Sequence, residues 1–284
     1  MTLDHPILLD RTCLHLTGAD AVSLLQGVIT VDVEALPVGQ GRYGALLTPQ
    51  GKLLFDFMVL RLADGVLIDC PSDAAQPLSM RLKMYILRAD VQVEFSDIQV
   101  IAVPANTPPI DPLIAQIDDP RGDFLGQRAY LETVPGDAAA NDADYQAFLT
   151  HHGVPQFGSD FDSGSNFPHD LGLDQLAAID FGKGCFVGQE VVSRMKHRGT
   201  ARRRPVCVSA DAVLPEAGKL TVQEREIGDL GSVTGRTGLA IIRIDRGEST
   251  DGTTAAAQVD GQQIQLSRPH WATWQIGSPG AAGG

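Results

Sequence analysis

The order of apolar and polar positions predicts interleaved strands and helices in the first part of the chain. Alternation predicts a strand over residues 11–16, and the run 21–26 predicts a short helix that Gly27 closes in the left-handed conformation. Two apolar runs, 44–47 and 53–62, are joined by a segment with proline second and glycine fourth. Such a segment is typical of a hairpin turn, so the two runs are predicted to pair as neighbouring strands.

The interleaved pattern continues to about residue 105. An Asp-Gly turn precedes a predicted strand at 66–69. The apolar side chains of Leu78, Leu82 and Ile86 recur at helical spacing, and an alternating run at 91–95 predicts the strand that follows this helix. Strands and helices in alternation predict an α+β fold class for this part of the chain.

The second half of the chain has a different pattern. The proline-rich stretch 104–120 is predicted to be a connector, and a helix is predicted around 145–152. Beyond residue 204, short apolar runs alternate with frequent glycines, which is typical of an all-β domain; these runs are 206–208, 220–222, 239–244 and 263–266. We therefore predict an α+β region over 1–204, a small C-terminal β domain over 205–276 and a flexible tail over 277–284.

Composition and charge exclude several classes of function. Of the 284 residues, 43% are hydrophobic and 20% are charged, as in globular proteins. With 22 basic and 35 acidic residues the net charge is −13, which disfavours a protein that binds nucleic acid over its whole surface. No apolar run approaches the length of about 20 residues that a membrane helix needs, and the first residues lack the basic start of a signal peptide. We expect no direct nucleic-acid partner and no membrane.

The four cysteines are dispersed and show no C-x-x-C spacing; they are Cys13, Cys70, Cys185 and Cys207. This distribution disfavours a disulfide framework and a self-contained zinc or iron–sulfur site. We therefore expect reduced thiols, a cytoplasmic location and no bound metal. The adjacent pair His151 and His152 is likewise expected to consist of ordinary surface or core histidines, because neighbours on a helix point in different directions.

Residues 183–204 form a basic segment in an acidic chain. They include seven basic residues and one acidic residue, so the segment carries +6 and the remainder of the chain carries −19. Such an asymmetry predicts a site for an anion. The alternative is a solvated basic face that balances acidic neighbours. A helix is predicted over 189–197, with Gly199 as its stop.

Cys185 lies just before this predicted helix. Glycines at 182, 184 and 188 flank it, and Lys183 is two residues away. A helix N-terminus and a nearby cation both favour the reactive thiolate, which makes Cys185 a candidate for chemistry. The alternative is that Cys185 is a small buried hydrophobic residue.

The same segment resembles a known family. Its motif, Lys183-Gly184-Cys185-Phe186-Val187-Gly188-Gln189-Glu190, matches the K-G-C-[FY]-x-G-Q-E signature of YgfZ-type folate-binding proteins. These proteins are relatives of the glycine-cleavage T-protein, an aminomethyltransferase, and the mitochondrial iron–sulfur assembly factors belong with them. Other stretches resemble the family in the same order, including Gly44 to Lys52, Met84 to Val91, Gly153-Val154-Pro155 and His197-Arg198-Gly199. The resemblance covers about residues 5–245.

The resemblance implies a fold, a ligand and a role. The fold would be a T-protein-like core of ferredoxin-like units around a central hole, followed by a C-terminal β-barrel. The ligand would be tetrahydrofolate or another reduced folate, and the partners would be iron–sulfur client proteins, including radical enzymes that modify transfer RNA. On this basis we expect a monomer with Cys185, Lys183 and Asp56 as catalytic residues, and with folate-binding residues at Tyr43, Leu47, Gly184, Gly188, Gln189, Glu190, Arg194 and Arg198.

One position departs from the family pattern of the T-protein. Where that enzyme has two adjacent aspartates, this chain has Phe55 and Asp56. The sequence therefore favours a folate-dependent accessory protein for iron–sulfur proteins, and a folate-dependent aminomethyl or one-carbon transferase remains the alternative. An RNA-binding module that uses residues 202–204 is a weaker hypothesis, because no aromatic residues accompany the arginines to stack on bases.

Overall fold

A computed structural model describes residues 1–111, 113–134, 142–199 and 201–277. The chain divides into two compact units. The first, which we call the α+β unit, contains residues 2–145 and 176–189, and the second, the barrel unit, contains residue 1, residues 146–175 and the chain from 190 onward. The domain boundaries expected at 204 and 276 stay predictions.

The α+β unit contains two antiparallel sheets and two helices. Its first sheet has the order β3-β4-β5-β2-β6 and its second the order β1-β7-β9-β8. The strands are β1 (Ile7–Leu8), β2 (Arg11–Thr17), β3 (Gly41–Leu47), β4 (Leu53–Arg61), β5 (Gly65–Pro71), β6 (Gln92–Ser96), β7 (Gln99–Val103), β8 (Leu113–Asp118) and β9 (Gln127–Leu131). The helices are α1 (Ala21–Val28) and α2 (Ser72–Ile86). The α+β pattern expected from the sequence is confirmed.

The hairpin between β3 and β4 forms as its turn sequence predicts. The Thr48 amide donates to the Lys52 carbonyl at 2.8 Å, and Gly51 adopts a φ of +76° that favours glycine. Both strands are almost wholly buried, because their apolar side chains cover both faces. This sheet therefore provides a rigid support for the residues that we expected in the site.

Two local predictions are wrong. Gly27 does not close α1 in the left-handed conformation, because the helix continues to Val28 and ends in extended backbone at Ile29, which forms a bridge with Leu46. The stretch 104–120 is not only a connector, since it contains β8. The prolines of that stretch lie before and after the strand. β8 is an edge strand of the second sheet, and its residues alternate between more exposed and buried positions.

The barrel unit is a closed six-stranded barrel with the order β10-β13-β12-β11-β14-β15. Its strands are β10 (Arg203–Ser209), β11 (Gly218–Val222), β12 (Arg225–Thr234), β13 (Thr237–Arg243), β14 (Thr254–Val259) and β15 (Gln262–Ser267). Inward-facing Val, Leu, Ile and Ala side chains fill its interior, together with Trp274. The expected C-terminal β-barrel is therefore confirmed.

Two helices complete the described chain, α3 (Asp142–His151) and α4 (Gln189–Arg198). Both were expected, and their ends agree with the predictions to within about three residues. Most of the expected tail, residues 278–284, lies outside the described residues; the amide of Gly277 donates to the Ile244 carbonyl at 2.7 Å. In the part of the chain that the structure describes, none of the helices combines the length and hydrophobicity needed to cross a bilayer.

Candidate functional site

Lys183 anchors the loop that carries Cys185. Its side chain is only 7% exposed, and its ammonium donates to three backbone carbonyls, those of Gln26 at 2.7 Å, Ile29 at 2.8 Å and Val31 at 2.8 Å. These carbonyls lie at and just beyond the C-terminal end of α1, where helix carbonyls lack partners and carry partial negative charge. Lys183 therefore caps this helix from a distant part of the sequence.

The environment of Lys183 also changes its titration. Burial lowers the pKa of Lys183 to about 8, although the negative charges of Asp32, Asp180 and Glu34 act in the opposite direction. A second tether lies beside it, because the Thr30 hydroxyl donates to the Ala178 carbonyl at 2.6 Å and also accepts from the Ala45 amide at 2.8 Å. The segment that leads to Cys185 is thus fastened to both α1 and β3.

The glycines of the motif have different surroundings. Gly188 has a φ of +83°, and a Cβ there would lie 2.6 Å from the Thr48 carbonyl oxygen and 3.1 Å from the Leu47 Cβ. Only glycine allows the loop to approach the β3–β4 turn this closely. Gly184, in contrast, faces open space, with no atom within 4 Å of the position that a Cβ would take.

Cys185 presents its thiol to solvent on this anchored loop. All four cysteines lie in the described ranges, and Cys185 alone among them is exposed. The interpretation of Cys185 as a small buried hydrophobic residue is therefore wrong. Burial raises the pKa of Cys70 to about 12 and that of Cys207 to about 11, which keeps those thiols protonated and unreactive.

Asp56 lies on β4 and is only 7% exposed. Its Oδ2 accepts a hydrogen bond from the hydroxyl of Tyr43 at 2.8 Å, whereas its Oδ1 is buried and has no hydrogen-bond partner among the described residues. Burial, followed by the charge of Asp56, raises the pKa of Tyr43 well above its usual value, so the phenol remains a donor. A buried acceptor without a donor marks a place where a bound molecule could supply one.

A buried network of charges, which the sequence did not predict, extends from this pair. Asp69 on β5 accepts hydrogen bonds from Arg11, Arg128 and Tyr130, with distances of 2.9 Å to Arg128 Nη1 and 3.1 Å to the Tyr130 hydroxyl. Arg128 also contacts Asp119 at 3.1 Å. Since Asp69 and Arg128 are each 1% exposed, the network replaces water for these two groups.

Arg121 links the network to the Asp56 and Tyr43 pair. Its guanidinium forms two hydrogen bonds with Asp119, at 2.9 and 2.8 Å, and lies 5.7 Å from the centre of the Tyr43 ring. Including Asp56, the network contains three guanidinium groups and three carboxylates. This balance allows five of these charged groups to remain buried, while Arg11 is partly exposed. One signal for the network was available in the sequence, because Asp69 and Arg128 each interrupt an apolar strand.

Three of the expected folate-binding residues belong to the barrel unit and lie on α4. Glu190 and Arg194 form an i, i+4 ion pair on an exposed surface, and Arg198 ends the helix. The basic segment is less positive than its composition indicates, because Arg204 is buried and pairs with Asp174 at 2.6 Å. The α+β unit holds the other expected residues: Tyr43, Leu47, Asp56, Lys183, Gly184, Cys185, Gly188 and Gln189.

Within the α+β unit, the structure forms two groups from these residues. The anchored loop brings Gly188 against Leu47, and Asp56 pairs with Tyr43. The assignment of catalytic and folate-binding roles to all of them stays a prediction. Across the described ranges, no group of three or more His, Cys, Asp and Glu residues is arranged to hold a metal ion.

Comparison with known proteins gives family matches for two stretches of the chain. Residues 10–103 match the family described as the GCVT N-terminal domain, and residues 202–274 match the CAF17 C-terminal beta-barrel domain. The fold is similar to that of the glycine cleavage system aminomethyltransferase T from Bartonella henselae, with a TM-score of 0.74 over 97% of this chain and 88% of the other. The two sequences are only 18% identical, so this similarity supports the fold alone.

Curated relatives carry a common name. The iron–sulfur cluster assembly factor IBA57, mitochondrial, of Homo sapiens is 28% identical over 298 residues, which cover 92% of this chain and 83% of the relative. The mitochondrial IBA57 homologue of Neurospora crassa is 29% identical over 239 residues, which cover 74% of this chain. This chain spans about half the length of the Neurospora protein, since the match covers 54% of it.

These relatives contradict one prediction and confirm another. They are named as mitochondrial, so the expected cytoplasmic location is wrong; reduced thiols indicate a reducing setting and do not specify which compartment provides it. The resemblance carried by the Cys185 motif, in contrast, is confirmed by relatives and by both matched domains. With a GcvT-like N-terminal domain and a CAF17-type C-terminal β-barrel, the chain belongs to the YgfZ/IBA57-type family.

Proposed function

We propose that this protein is a folate-binding accessory protein that assembles or repairs iron–sulfur clusters in client proteins, with radical enzymes that modify transfer RNA among its clients. The relatives are named as iron–sulfur cluster assembly factors. The structural feature that supports the proposal most directly is the exposed thiol of Cys185 on a loop anchored by Lys183. A thiolate is the side-chain ligand that iron–sulfur clusters use, so an exposed thiol on an anchored loop can contact a cluster or a client.

The residues around Asp56 fit a reduced folate. A pterin ring carries N–H groups that donate hydrogen bonds, and the buried Oδ1 of Asp56 is an acceptor that has no partner among the described residues. Tyr43 holds the other carboxylate oxygen, so Asp56 is oriented before a ligand arrives. In this proposal Asp56 and Tyr43 hold the pterin. A folate bound by Asp56 and Tyr43 would act as a one-carbon carrier or as a structural ligand.

The same residues favour an accessory role over aminomethyl transfer. Phe55, which is 5% exposed, stands where the T-protein has a second carboxylate. One carboxylate can bind a pterin, but the pair that accompanies methylene transfer in that enzyme is incomplete here. A direct test is to incubate the protein with methylenetetrahydrofolate and to measure aminomethyl transfer. We expect folate binding without aminomethyl transfer.

The thiol is tested with Cys185→Ser and the matched control Cys207→Ser. In cells that lack the protein, we expect the control to restore the activity of a [4Fe–4S] enzyme and Cys185→Ser not to restore it. Because Cys185 is exposed, the free energies of unfolding of Cys185→Ser and the wild type in urea should differ by no more than about 1 kcal/mol. Full complementation by Cys185→Ser would contradict the proposed role of the thiol.

The folate is tested separately by calorimetry with tetrahydrofolate. We expect Asp56→Asn to weaken binding by about tenfold or more, because a charged acceptor at the pterin is lost, while Cys185→Ser binds as the wild type does. Absence of heat with the wild-type protein would contradict folate binding and would leave the assembly role to be judged by complementation.

A further inference from the structure

Helix α2 and the residue that follows it expose three large apolar side chains. Met80, Met84 and Leu87 are 61%, 65% and 90% exposed; Met80 and Met84 lie four residues apart on one face of the helix, and Leu87 follows its last residue. The residues on the opposite side are buried against the first sheet; they are Ala74, Ala75, Leu78, Ser79 and Leu82. A helix with one buried face normally presents polar side chains to solvent, so this stripe is unusual.

The backbone at Leu87 is also unusual. This residue follows α2 directly and has a φ of +47°, which glycine adopts far more readily than leucine. The side chain buries little apolar surface in the fold, because it is 90% exposed. A residue that is strained and exposed at once indicates a use outside the folded chain.

The stripe is bordered by positive charge. Residues 74–89 contain Arg81, Lys83 and Arg88 and no acidic residue, so this segment carries +3 in a chain whose net charge is −13. Asp73 is the acidic residue of α2 and lies in its first turn. The Arg81 guanidinium lies 5.9 Å from the centre of the Tyr85 ring, with one nitrogen 4.0 Å from the sulfur of Met84, and its buried Nε has no hydrogen-bond partner among the described residues.

We propose that this surface docks an acidic partner protein that presents an amphipathic helix. We define the α2 face as Met80, Met84 and Leu87 with their basic border Arg81, Lys83 and Arg88. The apolar side of the partner helix would cover the stripe, and its carboxylates would pair with the basic border. Methionine suits such a contact because its flexible side chain adapts to a partner.

The positive charge of the α2 face favours an acidic helix over two other possible occupants, a second copy of the chain and an anionic bilayer. In a symmetric dimer the α2 face would meet itself, which would place +3 against +3. An anionic bilayer would attract the face, but it is an extended negative plane. The rest of the chain carries −16 and would be repelled by that plane. A single acidic helix contacts the face alone, so its attraction to the face is retained. This inference does not depend on folate or on Cys185.

The probe is a short fluorescein-labelled helical peptide of glutamate, alanine and leucine, with its leucines at i, i+4 and i+7. We expect the wild-type protein to bind it, and Met84→Glu and Arg88→Glu each to weaken binding by about tenfold or more. Val213→Glu and Arg225→Glu are the matched controls, since each introduces the same charge at an exposed position outside the α2 face. Both controls should bind as the wild type does.

Leu87→Gly separates docking from a structural role. Glycine adopts this positive-φ backbone without a clash at Cβ, so this variant should keep its melting temperature while binding the peptide more weakly. A lower melting temperature with unchanged peptide binding would assign Leu87 to the fold and would contradict the proposal.

Other results would overturn the proposal in identifiable ways. Binding of a scrambled peptide with equal affinity, or no binding by the wild type, would remove the acidic helix as occupant. Binding to phosphatidylserine vesicles that Met84→Glu abolishes would assign the face to a membrane, and a concentration-dependent dimer that Met84→Glu disrupts would assign it to a second copy. Cys185→Ser should bind the peptide normally, so failure here is distinct from failure of the proposed function.

Discussion

At the scale of single residues, Gly184 and Gly188 provide a matched comparison within one motif. A Cβ at 188 would lie 2.6 Å from the Thr48 carbonyl oxygen in a left-handed backbone, whereas a Cβ at 184 would meet open space. We expect Gly188→Ala to lower the free energy of unfolding by about 1–3 kcal/mol and Gly184→Ala to change it little. Urea unfolding of the two variants measures both values. Equal effects would contradict the close approach of the loop to the β3–β4 turn.

Lys183 is the second prediction at this scale. In Lys183→Met the carbonyls of Gln26, Ile29 and Val31 lose their shared donor. Because buried carbonyls without partners are costly, the free energy of unfolding should fall by about 1–3 kcal/mol. The Cys185 loop should also loosen, which alkylation of the native protein with iodoacetamide would detect as a changed rate. Lys219→Met is the control, since Lys219 is on the surface. An unchanged free energy of unfolding in Lys183→Met would contradict the anchoring role of Lys183.

At the scale of elements, the buried network connects strands of the two sheets of the α+β unit. Arg128 on β9 contacts Asp69 on β5, and it also contacts Asp119, which follows β8. Replacing Arg128 with Met would leave two buried carboxylates with less compensation, so we expect a loss of about 3–5 kcal/mol in the free energy of unfolding. Urea denaturation tests this value. A loss below that of an ordinary surface substitution would show that Arg11 and Arg121 suffice for these carboxylates.

The network also predicts the response to acid. Burial would raise the pKa of Asp69, but Arg11 and Arg128 more than offset it, and the pKa lies below its usual value; Asp119 is lowered in the same way by Arg121 and Arg128. A carboxyl group with a lower pKa in the folded state stabilises the fold above its unfolded pKa. That stability is lost as the pH falls through the folded value. We expect stability to decline below about pH 4, and less steeply in Asp69→Asn.

Two features that the sequence did not predict depend on tertiary contacts. The strand β9 contains Arg128 in an apolar run, where a charge is stable only because of partners distant in sequence. The end of α1 was misplaced because the bridge between Ile29 and Leu46, rather than Gly27, determines where extended backbone begins. Hydrophobic periodicity reports local preference, and these features depend on tertiary contacts.

At the scale of the whole molecule, the family resemblance carried more information than composition did. The Cys185 motif predicted the T-protein-like fold and the β-barrel, which the comparisons confirm. The pattern of short runs and glycines alone predicted an all-β C-terminal part but not its closure into a barrel. The buried partners of Asp56 and the carbonyl contacts of Lys183 could not be predicted, because both depend on strands and loops that meet only in the folded chain. The dispersed cysteines indicated reduced thiols but could not specify the compartment.

The net charge of −13 gives a last prediction for the molecule as a whole. Like charges on the surface repel one another in the compact state, and salt screens them as the Debye length falls from about 30 Å at 0.01 M to about 8 Å at 0.15 M. We therefore expect the melting temperature to rise by about 2–4 °C over this range, which corresponds to about 1 kcal/mol. The buried network is shielded from ions, so Arg128→Met should show the same increment from a lower starting temperature. Calorimetry with sodium chloride and choline chloride at equal ionic strength separates screening from specific ion binding. A melting temperature that falls with both salts would show that favourable surface ion pairs, such as Lys219 with Glu226, outweigh the net repulsion.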